Sequence, residues 1–149
     1  MPISAERYHD ISVGHRVYGQ GGKCEHLHGH NYRIHFTIES SDKFSPLDDV
    51  GRVLDFSAIK EHLCSWLEDN WDHKFLIWED DEFRVPLSQL DPQGVVWVPF
   101  NPTAENMGEY LCLAVAPAQL EGTGCRLTKV KVEETRKCSA TYTLDSFWE

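Results

Sequence analysis

His28-Gly29-His30 sets two imidazoles two residues apart. In an extended strand that spacing puts both on one face, about 7 Å apart along the chain. Gly29 leaves no bulk between them, so the pair can converge on one ion. A third imidazole, His15, stands near the end of the preceding strand and comes alongside if the two strands form a hairpin. Three neutral nitrogen ligands with a fourth position open are the arrangement of catalytic rather than structural zinc. The ion then polarises a substrate oxygen or acidifies a bound hydroxyl. His-x-His also occurs in strands that hold no metal, and His9, His26, His35 and His62 are assigned no metal role.

Cys24 lies four residues before His28, after a glycine-rich loop and Lys23. A cationic neighbour and a nearby metal favour the thiolate, which is the reactive form. Cys24 is therefore a candidate catalytic thiol. As a fourth ligand it would instead close the zinc site, and the pattern Cys-x-x-x-His-x-His permits either role. Asp72-His73-Lys74 offers a second polar cluster, in which a carboxylate can orient or charge an imidazole for proton relay; the pair can equally be a helix terminus. In the strand ending Val130-Lys131-Val132-Glu133-Glu134-Thr135, alternation puts Glu134 on the side of Val130 and Val132. An inward carboxylate needs a partner, and the adjacent N–H donors on the amide-amino edge of guanine or a pterin would satisfy it.

The elements that must position these groups are readable from periodicity. Glu6 to Val17 reads as a strand, and Gly19-Gln20-Gly21-Gly22 forces a loop. His28 to Glu39 alternates strictly and predicts a long strand. A polar loop from Asp42 to Gly51 precedes a helix capped by Ser57 and running to about Asn70, with Ile59, Leu63, Trp66 and Leu67 on its apolar stripe. Val95 to Pro99 reads as a short strand. A second helix starts at Pro102-Thr103, with Thr103 as N-cap and Glu105 at its positive end, and stops before Pro117. Leu127 to Thr135 and Ala140 to Leu144 close the chain as strands. The order β-β-α-β-α-β-β predicts an α+β layer, mostly antiparallel, with two helices on one face.

A chain of 149 residues with 41% hydrophobic and 26% charged residues fits one domain spanning 1–149. The net charge of −10 argues against nucleic acid as a partner. No apolar run is long enough for a membrane span. No secretory h-region follows Met1, and five scattered cysteines make no disulfide framework; both point to a cytoplasmic protein.

Five blocks together resemble the 6-pyruvoyltetrahydropterin synthase / 6-carboxytetrahydropterin synthase family. They are Lys23-Cys24-Glu25-His26-Leu27-His28-Gly29-His30-Asn31-Tyr32, Val53-Leu54-Asp55-Phe56, Trp71-Asp72-His73-Lys74-Phe75-Leu76, Asn101-Pro102-Thr103-Ala104-Glu105-Asn106 and Val132-Glu133-Glu134-Thr135. They occur in family order and span most of the chain. The resemblance implies the tunnelling fold (T-fold), whose subunits join their sheets into a barrel and stack as a hexamer, a dimer of trimers. It implies Zn2+ on His15, His28 and His30, with Cys24 as the proton-abstracting thiolate and Asp72 and His73 as the relay. It further implies that Glu134 anchors the pterin, helped by Thr103 and Glu105, in a pocket built across subunits.

Three residues separate Cys24 from His28. That spacing resembles the bacterial members that convert 7,8-dihydroneopterin triphosphate to 6-carboxytetrahydropterin, acetaldehyde and triphosphate in queuosine and 7-deazaguanine biosynthesis. The animal-type members, which make 6-pyruvoyltetrahydropterin, carry a longer gap. A further subgroup replaces the cysteine by glutamate, and here Glu25 adjoins Cys24. The rival readings are a non-catalytic pterin- or purine-binding protein with structural zinc, and a zinc hydrolase of the cyclohydrolase kind. Two departures stand out: Ile11-Ser12-Val13-Gly14-His15 replaces the more usual Phe-Ser-Ala-x-His, and the acidic segment Trp78 to Gly94 reads as a solvated loop. Lys23, Lys74 and Arg136 are candidate receivers of the triphosphate.

Overall fold

The computed structural model describes residues 3–144. Strands β1 (Ala5–His15) and β2 (His28–Ser40) form an antiparallel hairpin in which His15 faces His28 and Val13 faces His30. The strict alternation of β2 is realised: Tyr32, Ile34, Phe36 and Ile38 are buried, while Asn31 and Arg33 are exposed on the other face. Each large apolar side chain buried there contributes roughly 1.5–3 kcal/mol, so a one-residue slip in register is strongly disfavoured. The first strand ends at His15, short of the expected Val17, because Arg16 and Val17 turn into the loop that carries Cys24.

Helix α1 spans residues 56–70, with a π-helical turn at Lys60–Cys64 between the α-helical pieces Phe56–Ile59 and Ser65–Asn70. Its cap is Asp55 rather than Ser57: the Asp55 carboxylate accepts from the Ser57 N–H at 2.9 Å and from the Ser57 hydroxyl at 2.8 Å. Ser57 sits inside the first turn and is itself a donor. Ile59, Leu63 and Leu67 face the sheet as the stripe predicts.

After α1 the chain forms three elements, of which only the last was expected. β3 (Lys74–Trp78) pairs in parallel with β1, and β4 (Val95–Val98) pairs in parallel with β3. Parallel neighbours require a crossover, and helix α2 (Arg84–Leu90) lies within it. The segment read as a solvated loop is thus a βαβ connection, and Asp81 within it is fully buried. Pro86 falls in the first turn of α2, where its missing N–H has no intrahelical partner to lose.

Helix α3 spans residues 104–119, with a π-helical turn at Leu111–Val115 between Ala104–Tyr110 and Ala116–Gln119. It passes the expected stop at Pro117: in the widened turn the Ala116 N–H bonds to the Leu111 carbonyl, and the proline ring is accommodated directly after it. Strands β5 (Cys125–Glu133) and β6 (Ser139–Thr143) form the closing hairpin. The sheet order is β4-β3-β1-β2-β5-β6. The α+β expectation holds, with α1 and α3 on the face that buries Ile11, Val13, Tyr32, Ile34, Val130 and Val132 in one core. The parallel pairs at one edge make the sheet mixed. Among the described residues no helix is long and apolar enough to cross a membrane.

Candidate active site

The β1–β2 register brings three imidazoles to the end of the hairpin, where His15, His28 and His30 each offer a nitrogen within 4.8 Å of the others. Two are held by backbone carbonyls. His15 Nδ1 pairs with the Pro102 carbonyl at 2.6 Å and His28 Nδ1 with the His26 carbonyl at 2.7 Å. Donation from Nδ1 fixes each ring's tautomer and leaves Nε2 with its lone pair, the usual preparation of a ligating histidine. The Pro102 bond also couples the start of α3 to the site, because Thr103, the next residue, caps that helix through the Asn106 N–H at 3.1 Å. Glu105 is exposed in the same turn, outside this hydrogen-bond network among the described residues.

Burial holds the His15 imidazole below its ordinary pKa, against the opposing Pro102 hydrogen bond. Burial does the same to His30, against the pull of Glu134. Both therefore remain neutral at a pH where free histidine protonates, and a neutral ring is the ligand. Between pH 7.5 and 6.0, three ordinary imidazoles acting together would lose on the order of 50-fold in metal affinity. The depressed values predict a clearly smaller loss here, measurable by competitive titration of the metal at the two pH values.

Glu134 lies one residue past the end of β5, in the turn that its N–H closes onto the Cys138 carbonyl. Its carboxylate approaches the histidines: Oε1 is 3.6 Å from His15 Nε2, 3.7 Å from His30 Nε2 and 3.2 Å from the Tyr32 hydroxyl, which donates to it. Tyr32 is fully buried. Its hydroxyl is held protonated by burial first, then by the charge and hydrogen bond of Glu134, and last by the nearby Cys24. From the sequence, Tyr32 stands on the strand and at the end of the Lys23-to-Tyr32 block, with no role of its own in the site. The signal was available, because a buried tyrosine usually finds a partner for its hydroxyl.

Cys24 is exposed in a single 3-10 turn, Lys23–Glu25, and its carbonyl accepts from Val17 N–H at 2.8 Å. Glu25 does not occupy the thiol's place. Its carboxylate turns back to accept from the Gly19 and Gly21 N–H groups at 3.0 and 2.8 Å, which hold it below the usual carboxylate range. Gly19 and Gly21 both adopt positive φ, so the glycine-rich run is what lets those amides converge.

Asp72 and His73 are held together but away from this cluster. His73 Nδ1 is 2.9 Å from Asp72 Oδ2, and Asp72 Oδ1 accepts from the Ser12 N–H at 2.9 Å. His73 returns its own N–H to the Ser12 carbonyl at 2.7 Å and has a φ of 61°, the only positive φ of a non-glycine among the described residues. Such backbone is uncommon outside glycine and persists where its surroundings fix it. Burial opposes ionisation of Asp72, but the Ser12 and His73 hydrogen bonds outweigh it and keep the carboxyl below its ordinary range. The pair lines a cleft of about 720 Å³ with Ser12, Asn31, Arg33 and Arg136. Ser12 and Asn31 alternate with Val13 and His30, so this cleft is on the sheet face opposite the three histidines. One chain therefore does not bring Asp72 and His73 to its own Cys24. Lys74 is engaged with the Gln93 carbonyl at 3.0 Å, whereas Lys23 is exposed beside Cys24.

A profile described as 6-pyruvoyl tetrahydropterin synthase matches residues 4–145. The chain belongs to the 6-pyruvoyl tetrahydropterin synthase family. Among curated relatives, a Rickettsia bellii protein named 6-carboxy-5,6,7,8-tetrahydropterin synthase is 32% identical over 137 residues, covering 91% of this chain and 96% of that one. An Aquifex aeolicus protein of the same name is 30% identical over 155 residues, covering 89% and 92%. Among solved structures, an uncharacterized protein of Wolinella succinogenes superposes with a TM-score of 0.79 at 21% identity over 96% of this chain and 98% of its own. The Caenorhabditis elegans 6-pyruvoyl tetrahydropterin synthase gives 0.68 at 24% identity over 96% of each chain. These two likenesses carry the fold, which is the tunnelling fold of the 6-pyruvoyl tetrahydropterin synthase family. Gly14 has a local reason within that fold: a Cβ there would lie 2.7 Å from the Phe75 ring.

Proposed function

We propose that this protein is a zinc-dependent 6-carboxy-5,6,7,8-tetrahydropterin synthase acting on 7,8-dihydroneopterin triphosphate in the queuosine and 7-deazaguanine route. The observation that carries this reading is the convergence of three imidazoles with the Glu134 carboxylate at one end of the hairpin. The donor set fits zinc: three nitrogen ligands, two of them oriented by carbonyls, with no carboxylate or thiolate needed to complete the triad. The Cys24-x-x-x-His28 spacing and the names of the relatives support the 6-carboxy product.

Zinc, when bound, supplies Lewis acidity toward the hydroxyl oxygens of the substrate side chain. Glu134 accepts from the adjacent N–H donors of the pterin ring, and Tyr32 fixes the carboxylate from behind. Thr103 and Glu105 border the ring at the α3 terminus. Cys24, as thiolate, takes a proton from the side-chain carbon next to the polarised oxygen. His73, oriented by Asp72, returns a proton to the ring. Because that pair faces away from its own histidines, it serves the thiol of a neighbouring copy, which supports the homohexamer of barrel-forming trimers. Elimination of triphosphate, followed by a retro-aldol type cleavage in which one water adds its oxygen to the carbon retained on the ring and a proton goes to the departing two-carbon fragment, leaves 6-carboxytetrahydropterin and acetaldehyde. Arg136 is in the same cleft as His73 and is the best-placed cation for the leaving triphosphate.

Tyr32→Phe keeps the ring and removes only the donor to Glu134. A hydrogen bond to a charged group is worth about 1.5–3 kcal/mol, so KM should rise about tenfold or more with kcat little changed, as read by steady-state kinetics. The assignment itself is tested by mass analysis of the products. 6-Carboxytetrahydropterin with equimolar acetaldehyde is expected. 6-Pyruvoyltetrahydropterin alone would move the protein to the other family activity, and stoichiometric binding without turnover would make it a pterin-binding protein.

A further inference from the structure

Arg16 immediately follows the metal-ligating His15, yet it is a buried cation, with 4% of its surface exposed. Its partner is Asp81, 65 positions away in the β3–β4 crossover and wholly buried. Arg16 Nε donates to Asp81 Oδ2 at 2.7 Å, and the guanidinium carbon lies 3.7 Å from the centroid of the Phe83 ring. Asp81 is fixed in turn, because its Oδ1 accepts from the Phe83 N–H at 2.8 Å. The remaining reach of Arg16 goes to the Cys24 turn, where Nη1 donates to the Glu25 carbonyl at 3.4 Å.

Cys24 is thus bracketed. Its own carbonyl is held by Val17, and the next carbonyl is held by Arg16. The other bonds of the 17–25 loop include those within it, from Gly19 and Gly21 to Glu25, and the Tyr18–Asn101 pair that ties one end to the segment before α3. A buried ion pair is weak evidence for stability, since apolar residues of similar volume often serve as well. Its place here has a geometric consequence: it connects the crossover to the turn that presents the thiol.

We propose that the Arg16–Asp81 pair is a positioning device for the Cys24 turn, so that the β3–β4 crossover sets where the thiol stands relative to the three histidines. The proposal rests on the assignment of Cys24 as the reactive thiol. Asp81 and Arg16 are positioning residues, since neither is argued to touch substrate.

The test compares the zinc-loaded wild type with the double variant Arg16→Met/Asp81→Leu, which keeps the site filled and apolar, and with Arg16→Lys, which keeps the charge pair but shortens the reach to Glu25. Amide hydrogen exchange is followed in peptides covering residues 16–27 and, separately, the paired β1–β2 strands. Zinc content, kcat and KM are measured on the same samples. The double variant should show at least a tenfold faster exchange confined to 16–27, with one zinc per chain, a kcat at least tenfold lower and KM within threefold of wild type. Arg16→Lys should show the same pattern to a smaller degree, and it decides the matter if the double variant does not fold. Unchanged exchange in 16–27 overturns the proposal whatever the activity. So does faster exchange with undiminished kcat, or exchange raised equally throughout the sheet, which is what a purely stabilising pair would give. If the wild type itself does not turn over the pterin, the functional reading fails, while the exchange data still decide whether the pair holds the turn.

Discussion

Cys24→Ala should lower turnover of 7,8-dihydroneopterin triphosphate by at least about a thousandfold, the upper part of the range for loss of a positioned proton-transfer group. It should leave metal content and substrate binding intact. The reason is geometric: His15, His28 and His30 converge without any sulfur, and Glu134 reaches the same place from the β5–β6 turn. The thiol is exposed in its own turn, so its removal leaves no cavity in the core. Glu25 cannot substitute, because its carboxylate is committed to the Gly19 and Gly21 amides. Kinetics paired with elemental analysis of the same sample read both halves. Loss of the metal together with the activity would mean that Cys24 is a ligand.

His28→Ala should have the opposite signature, with metal and turnover lost together. Outer partners of a ligating histidine are worth about 10–100-fold in metal affinity, and removing a ligand outright should exceed the upper figure. His28 is the informative choice among the three. His15 is buried and bonded to Pro102, so its removal would also disturb the start of α3, whereas His28 is half-exposed and bonded to the carbonyl of His26, two residues away. The variant should fold with an unchanged far-UV spectrum and bind little metal at concentrations that saturate the wild type. Full metal content in it would remove His28 from the ligand set.

The candidate site was legible where it depends on local periodicity. Two residues per pleat put His28 and His30 together, and a hairpin was enough to add His15 opposite His28. The same alternation carried Glu134 to the buried side although the strand stops a residue earlier. Thr103 was legible as a cap because capping is a contact of adjacent residues. What could not be read depends on partners far apart in the chain. Asp81 is one of four consecutive acids, and nothing in that run shows which one is buried, because its partner Arg16 is remote in sequence. Parallel strand β3 is a short apolar run behind Asp72-His73, too brief to separate from a helix end by pattern alone. The π-helical turn that carries α3 past Pro117 has no simple sequence mark. The facing of Asp72 and His73 away from their own histidines follows from sheet order, which spacing does not specify.

X-ray absorption at the zinc edge of the purified, zinc-loaded protein distinguishes a metal held by three histidines, with Cys24 beside it as a free thiol, from a metal that Cys24 also ligates. With three histidine ligands and a free thiol, the first shell should hold nitrogen and oxygen scatterers only, at about 2.0–2.1 Å. A sulfur scatterer at about 2.3 Å would make Cys24 the fourth ligand and contradict it.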